Sequence, residues 1–600
     1  MTDDKSFQRK LESQPHMADR IELLRALMRA KGWDAVVITG SDPHCSEYPA
    51  ERWKQVEWLS GFTGEAGDIV VTLDHAGLWT DTRYFIQARQ QLEGTGIELH
   101  KMRVPEQVPI PQWLHEQFGD DALIVVDGLC TGVDFARSLP GTVISVPDLL
   151  GRFWTDRPAV PQTPIFTADP GESRAEKLAW LRRFLQDRAC DGILLTAMDE
   201  IAWTLNVRAS DIEYNPMVIS YLLVTQDDIC WYVLKERIED PQTEATFSIL
   251  ASDGVRLAPY GDIDYLASEF QGRLFVDGST LNYQLFSSLA AAGVPLEEGA
   301  SPIGLRKAVK NAREIAGMRE AHLRDGLAME RFLFWLERSV VAGREISEWD
   351  AAVKLGQLRA DLPGYLGDSF ATISAYGPGA ALPHYVTPHR YAPVIRDSGL
   401  YLCDSGGQYD CGTTDITRTV PLGRCTALER EDYTLVLKGH IDLAMAVFPE
   451  GTPGCRLDVL AREPLWRSKR NFGHGTGHGV GWLLGVHEGP HDIRQNLNDV
   501  PLMPGMITSD EPGIYREGKH GVRHENLLLC VRAGETEFGR WLAFEPLTLC
   551  HFDTEALELS LLDRSEVQWL NAYNEHVYRT LSPLLPDEIA AWLREKTLAV

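Results

Sequence analysis

From Arg20 to Asp42 the chain reads RIELLRALMRAKGWDAVVITGSD, with apolar positions first recurring every third or fourth residue and then running together. This pattern predicts an amphipathic helix followed by a short buried strand. The same order returns 157 positions later, where Lys177 to Asp199 reads KLAWLRRFLQDRACDGILLTAMD. In both stretches an aspartate separates helix from strand, and the strand ends on a threonine, Thr39 or Thr196. We read a duplicated α/β domain, each copy on the order of 150 residues. The plainer alternative is that any helix–strand unit looks this way.

Met329, Phe332, Leu333 and Leu336 repeat at i, i+3, i+4 and i+7, the stripe of a core-facing helix. After about Leu305 the texture changes: glycine and histidine cluster, and strand-like alternation is cut by turn signals at Gly406-Gly407 and Pro512-Gly513. Near the end, Val567, Leu570, Tyr573, Val577 and Leu581 keep helical spacing, and Pro586-Asp587-Glu588 reads as the start of a final helix. Two breaks divide the chain. Pro158, Pro161, Pro164 and Pro170 mark a linker, and GVPLEEGASP (Gly293 to Pro302) precedes the long helix. The expected domains are 1–160, 161–304 and 305–540, with a tail over 541–600. The tail is too short to bury much core alone, so it should dock on the main domain or another subunit.

Composition adds limits to this picture. Acidic residues outnumber basic ones by 86 to 58, for a formal charge of −28. No long Lys/Arg run interrupts the excess, which disfavours nucleic acid and anionic membranes as partners. The opening residues, Met1-Thr2-Asp3-Asp4-Lys5, lack the apolar core of a secretory signal, and no stretch is apolar enough to span a bilayer. Ten scattered cysteines without a CxxC pair read as reduced, mostly buried thiols. Together these point to the cytoplasm.

The chemistry concentrates in one span. Asp404 and Asp415 lie eleven apart in YLCDSGGQYDCGTTDITRT, flanking a glycine-containing turn. In a hairpin both carboxylates would sit on adjacent strands and face one side. Glu511 and Glu525 lie fourteen apart around the Pro-Gly turn of SDEPGIYREGKHGVRHEN. Between the pairs, NFGHGTGHGVG carries His474 and His478 in a run too glycine-rich for a stable helix. A lone DSGG or EPG is more often a turn than a ligand, and a histidine beside glycines is more often a hydrogen-bonded core residue. The combination needs more, because buried carboxylates repel one another unless something cationic compensates them. Two divalent ions would balance four carboxylates, and an oxygen-rich set with one imidazole and no thiolate suits Mn²⁺, with Zn²⁺ or Co²⁺ as alternatives. Such a pair polarises a carbonyl and activates water, which is amide or ester hydrolysis.

The order Asp404, Asp415, His478, Glu511, Glu525, set in DSGGQYxxGTTDITRT, HGTGHGVG, EPGIY and RHEN, resembles the dinuclear "pita-bread" metallopeptidases. It is most similar to the long, three-domain cytosolic branch, the Xaa-Pro aminopeptidases (aminopeptidase P). GFTGEAG (Gly61 to Gly67), LWTDTRYFIQA (Leu78 to Ala88), DEIAWTLNVRASDIEYNP (Asp199 to Pro216) and FEPLTL extend the resemblance over nearly the whole chain. The fold it implies is α/β (α+β): two duplicated creatinase-like N-terminal domains, a pita-bread catalytic domain and a C-terminal extension. It further implies that Asp404 chelates one metal, that His478 and Glu511 bind the other, and that Asp415 and Glu525 bridge both. Glu511 would also handle the proton of the attacking water. His384 (in LPHY), His474 and His487 (in GVHEGP) match catalytic-site histidines that contact substrate and stabilise the tetrahedral intermediate. Arg523 would orient Glu525, and Arg83 matches an arginine that reaches substrate.

Glu65, Thr82 and Ala209 depart from the usual Ser, Gly and Gly of these motifs, all outside the ligand set. Cys403 reads as core packing and Cys411 as a turn residue. The activity implied is removal of the N-terminal residue from peptides with proline second, by a homodimer. Proline lacks an amide hydrogen and fixes φ, so a dedicated slot is required, with the extra domains admitting only a short N-terminal stub. A prolidase uses the same ligands on Xaa-Pro dipeptides but usually lacks the duplicated domain. A methionine aminopeptidase lacks the large N-terminal domains, a creatinase-like enzyme uses the fold without metals, and an inactive peptide-binding relative would have lost ligands.

Overall fold

The computed structural model describes residues 17–238, 240–241 and 243–600. The opening residues read above for a secretory signal lie outside the described residues. The chain forms two compact units. The first takes residues up to Thr167 with Arg174–Ile212 and Val218–Ser301; the second takes Ala168–Ser173, Glu213–Met217 and Pro302–Val600.

Inside the first unit the duplication is plain. The helices Met17–Lys31 and Arg174–Arg188 and the strands Ala35–Ile38 and Gly192–Leu195 are offset by the same 157 positions that relate the sequences. Each strand lies near the middle of a six-stranded sheet. In the first sheet the neighbours of Ala35–Ile38 are Asp68–Thr72, antiparallel, and Leu123–Val126, parallel. In the second, Gly192–Leu195 has Ser220–Thr225, antiparallel, and Leu274–Val276, parallel. The outer strands repeat the same senses, so the two sheets share one topology. A shared strand order and sense does not follow from a generic helix–strand unit, so the plainer reading of the echo fails.

The second unit is built on the 30-residue helix Ala312–Val341, started by an Asn311–Glu314 capping box. Met329, Phe332, Leu333 and Leu336 all point into its main core. A three-stranded sheet (Ile373–Tyr376, Leu400–Ser405, Ile416–Pro421) and a six-stranded sheet carry the chemistry-bearing segments. The six-stranded sheet includes Gly477–Gly479, Ile507–Asp510 and Asn526–Thr536. The helices Ala427–Ala444, Asp458–Arg467 and Arg564–Leu581 pack with them, the arrangement called pita-bread. The strand Gly539–Pro546 pairs along Asn526–Thr536. The helix Pro302–Ala308 leads into this unit. In the tail, Leu570, Tyr573, Val577, Leu581, Trp592 and Leu593 join the main core. All ten cysteines are free; Cys403 packs in that core and Cys411 sits in a turn. Among the described residues no helix is long and apolar enough to cross a membrane.

Candidate active site

The four carboxylates stand where the chain leaves a sheet for a hairpin and where it returns. Asp404 lies on the strand Leu400–Ser405, and Asp415 directly precedes the strand Ile416–Pro421 that pairs with it. The segment between is not the simple hairpin turn read from the sequence. Gly407–Tyr409 and Gly412–Thr413 pair as strands of a separate sheet, and Asp404 faces Thr417 rather than Asp415. Glu511 and Glu525 repeat the device. They bracket the hairpin Gly513–Arg516 and His520–Arg523, while the flanking Asp510 and Asn526 face one another in the six-stranded sheet. Backbone bonds fasten the corners: Glu511 donates to the Thr476 carbonyl (2.8 Å) and Glu525 to that of Thr417 (3.1 Å).

His478 joins them from the strand Gly477–Gly479. Its Nε2 lies 3.5 Å from both Asp415 Oδ2 and Glu511 Oε1. Asp415, His478 and Glu525 each bring a ligand atom within 4.8 Å of the others. His478 Nδ1 is 2.9 Å from the Gly479 carbonyl. A carbonyl only accepts, so Nδ1 carries the hydrogen and Nε2, which faces two carboxylates, is the nitrogen that offers a lone pair to a metal when the ring is neutral. Asp404 Oδ1 is buried with no hydrogen-bond partner. A cluster made only of acceptors fits a bound cation, and the oxygen-rich set fits a divalent one.

Three of these carboxyl groups are held above their usual range. Burial, then repulsion from Asp404, pushes the Asp415 carboxyl up to about 8. Burial raises Glu511 to about 7 against the pull of His478 and Arg523, and raises Glu525 well above its usual range, with Asp415, Asp404 and Glu511 adding to the effect. Glu511 alone of the four keeps a fifth of its side chain open, at 20 %, and so can exchange protons with solvent.

Arg523 organises the rim. It donates to Asp404 Oδ2 (2.5 Å), Tyr515 hydroxyl (2.6 Å), Thr417 Oγ1 (3.1 Å) and the Pro383 carbonyl (3.3 Å). The last contact places the turn carrying His384 beside the cluster. Tyr515 in turn lies 2.7 Å from His474 Nε2, and His474 Nδ1 is 2.7 Å from the Gly475 carbonyl. Both nitrogens of His474 are thus engaged, and a chain of hydrogen bonds runs from the ring through Tyr515 and Arg523 to Asp404. Burial, with Arg523 nearby, holds it well below the usual histidine range and hence neutral. His487 stacks edge-on to His478 with ring centroids 4.3 Å apart. Arg83 belongs to the other unit, where Asp81 holds it through two donors at 2.9 and 2.8 Å.

Sequence reading missed Tyr515, Thr417 and Arg418. Tyr515 stood in view inside EPGIY; the signal was the glycine two positions before it, since a Cβ at Gly513 would come within 2.5 Å of the Tyr515 hydroxyl. Thr417 donates to Glu525 Oε2 at 2.7 Å. Arg418 donates to the Glu525 carbonyl (2.6 Å), Asn526 Oδ1 (2.8 Å) and the hydroxyl of Tyr573 (3.1 Å) in the tail.

Four family models match the chain. The creatinase/prolidase N-terminal domain matches residues 20–148, and a second model of that description matches 156–314. Metallopeptidase family M24 matches 316–532, and the C-terminal region of peptidase M24 matches 540–600. Aminopeptidase P1 of Arabidopsis thaliana is 36% identical over 97% of this chain and 99% of its own length. A probable Xaa-Pro aminopeptidase P of Laccaria bicolor is 38% identical over 96% and 93%. Among solved structures, the X-prolyl aminopeptidase of Caenorhabditis elegans, described as a cytosolic enzyme with a di-nuclear active site, superposes with a TM-score of 0.91. It is 33% identical and covers 98% of this chain and 100% of its own. The Xaa-Pro dipeptidase of Bacillus anthracis, 26% identical, covers 98% of its own length but only 63% of this chain, with a TM-score of 0.50.

Proposed function

We infer that this chain, which belongs to metallopeptidase family M24, is an Xaa-Pro aminopeptidase, a hydrolase that removes the first residue from peptides with proline second. The observation that carries this reading is the extent of the match. The aminopeptidases correspond to it from end to end through both N-terminal α/β domains, whereas the dipeptidase lacks a third of its length.

The site takes two divalent ions, and we assign them to five side chains. Asp404 would hold one, His478 and Glu511 the other, and Asp415 and Glu525 both. When bound, the ions polarise the scissile carbonyl and supply an activated water. Manganese is the metal we favour, because four of the five ligands are carboxylates. Glu511, the carboxylate with an open face, takes the proton of the attacking water and delivers it to the proline nitrogen as the bond breaks. Proline nitrogen carries no hydrogen of its own, so this delivered proton is what lets it leave as an amine. His384 and His487 donate to the developing oxyanion. His474 acts one step back, holding Tyr515 and through it Arg523. Arg83 we assign to the substrate side.

We further assign residues 1–160 and 161–304 to the two creatinase-like domains, 305–540 to the catalytic domain and 541–600 to the extension. The working form is a homodimer in the cytoplasm. The ten free cysteines and the cytosolic description of the nematode enzyme support the location.

The test is a digest read by mass spectrometry with Mn²⁺-loaded protein. Its substrates are an Xaa-Pro-Xaa tripeptide, its Xaa-Ala-Xaa analogue and an Xaa-Pro dipeptide, with Glu511→Gln as control. Release of the first residue from the proline tripeptide, lost in the variant, is the expected result. Cleavage of the dipeptide alone would make the protein a prolidase. No cleavage with any divalent metal would leave a peptide-binding relative.

A further inference from the structure

A second convergence of imidazole and carboxylate lies in the first sheet of the N-terminal unit and shares no residue with the catalytic cluster. The turn between Asp68–Thr72 and Ala76–Thr80 is closed by Thr72, whose N–H donates to the His75 carbonyl (2.8 Å). The Thr72 hydroxyl accepts from the His75 N–H (2.9 Å). His75 is thereby fixed at the mouth of the strand. Beside it runs the edge strand Glu98–Lys101, parallel, with Gly77 facing Glu98 and Trp79 facing His100. Side chains alternate along a strand, so Glu98 and His100 emerge on one face.

That face is shaped around His100. A Cβ at Gly77 would come within 2.7 Å of its Cδ2 and 2.8 Å of its Nε2, so the ring can lie there only over bare glycine backbone. The same Cβ would come within 2.7 Å of Trp79, which stacks on the imidazole at 3.8 Å and 6° and is itself anchored by its indole N–H to the Val108 carbonyl at 2.9 Å. Trp113 packs against His75 at 4.9 Å. Both imidazoles are held before any ligand arrives, which lowers the ordering cost of binding.

The two Nε2 atoms face each other at 3.2 Å. Tetrahedral zinc with Zn–N bonds of about 2.0–2.1 Å separates two ligating nitrogens by roughly 3.3 Å. Glu98 Oε2 stands 3.8 Å from His75 Nδ1. One nitrogen of each imidazole and one carboxylate oxygen all lie within 4.8 Å of one another. The Glu98 side chain is 68% exposed and can swing to complete the set.

We propose that His75, Glu98 and His100 form a binding site for one divalent zinc ion, with water in the fourth position. Two imidazoles and one carboxylate suit zinc better than the harder manganese favoured at the catalytic cluster. The ion ties the sheet's edge strand to the neighbouring hairpin, a structural office independent of the peptidase reading.

The experiment counts metal. Full-length protein, stripped with chelator, is dialysed against Zn²⁺ and its zinc per chain measured by plasma mass spectrometry. The comparison is made in wild type, His100→Gln and Glu98→Gln, each repeated on an Asp415→Asn/Glu525→Gln background that disables the catalytic cluster. The expected result is one zinc fewer per chain in His100→Gln on either background. Glu98→Gln, an exposed change that leaves the fold intact, should weaken that same zinc at least tenfold. Equal zinc uptake and affinity in wild type and Glu98→Gln would overturn the proposal and leave two histidines sharing a hydrogen bond.

Discussion

Thr417 and Glu525 are joined twice. The Thr417 hydroxyl donates to Glu525 Oε2 at 2.7 Å, and the Glu525 N–H donates to the Thr417 carbonyl at 3.1 Å. The same hydroxyl accepts from Arg523 Nε, so one oxygen orients the Glu525 carboxylate and the arginine that grips Asp404. Thr417→Val keeps the shape and removes that oxygen. Outer-shell partners of this kind are worth about 10–100-fold in metal affinity. Manganese binding, followed by calorimetry, should weaken by that amount, with a stability loss of about 1–3 kcal/mol from the unpaired buried groups. Unchanged binding would remove Thr417 from the site.

Arg523 makes four bonds through three nitrogens, and lysine offers a single nitrogen. Arg523→Lys should therefore cost more in kcat than Tyr515→Phe, which deletes only the hydroxyl between Arg523 and His474. For Tyr515→Phe a loss of roughly tenfold, about 1.4 kcal/mol, is expected in kcat with KM little altered. Steady-state kinetics on a proline tripeptide would check the order; the reverse order would mean that Tyr515 touches substrate itself.

The metal-free protein should weaken as pH rises. Asp415 and Glu511 are held at about 8 and about 7 in the folded chain, above their unfolded values. Between those limits the folded state binds more protons than the unfolded one, so stability falls with pH. The contribution is complete below about pH 4 and gone above about pH 8. With Mn²⁺ bound the slope reverses, because the metal requires the deprotonated ligands. Thermal melts from pH 5 to 9, with and without Mn²⁺, should diverge; parallel curves would count against the acceptor-only cluster.

The tail should divide into two kinds of residue. Trp592 fills the main core against Phe334, and Trp592→Ala should cost about 3–5 kcal/mol with metal affinity kept. Tyr573→Phe removes one of the acceptors of Arg418, the arginine that also donates to the Glu525 carbonyl. It should cost less stability, about 1–3 kcal/mol, yet weaken metal binding. Denaturant melts and metal titrations on the two variants separate the effects.

Local pattern carried the helices and the duplication, because both depend on residues near in sequence. The helix Ala312–Val341 follows its apolar stripe, and the 157-residue offset survives in both sheets. The clustering of these carboxylates with His478 was legible because carboxylates beside turn residues are rare in core strands. The rim was not. Arg523 meets Asp404 across 119 positions and Arg418 meets Tyr573 across 155, distances fixed by strand register that no local window contains. The excursion between Asp404 and Asp415 escaped for a related reason: its strands pair outside the hairpin that their spacing suggested.

The five residues assigned to the metals come from separate segments, the last being Glu525, whose carbonyl accepts from Arg418, a guanidinium that also reaches Cys550, His551 and Tyr573 near the tail. During synthesis the chain emerges from its N-terminus, and the two creatinase-like domains can fold while the rest is still being made. The metal cage cannot. Until the tail has cleared the ribosomal tunnel Arg418 lacks its partners there, the Cys550 and His551 carbonyls and the Tyr573 hydroxyl. The expected order is folded N-terminal domains first and metal capture last, timed by the arrival of the tail.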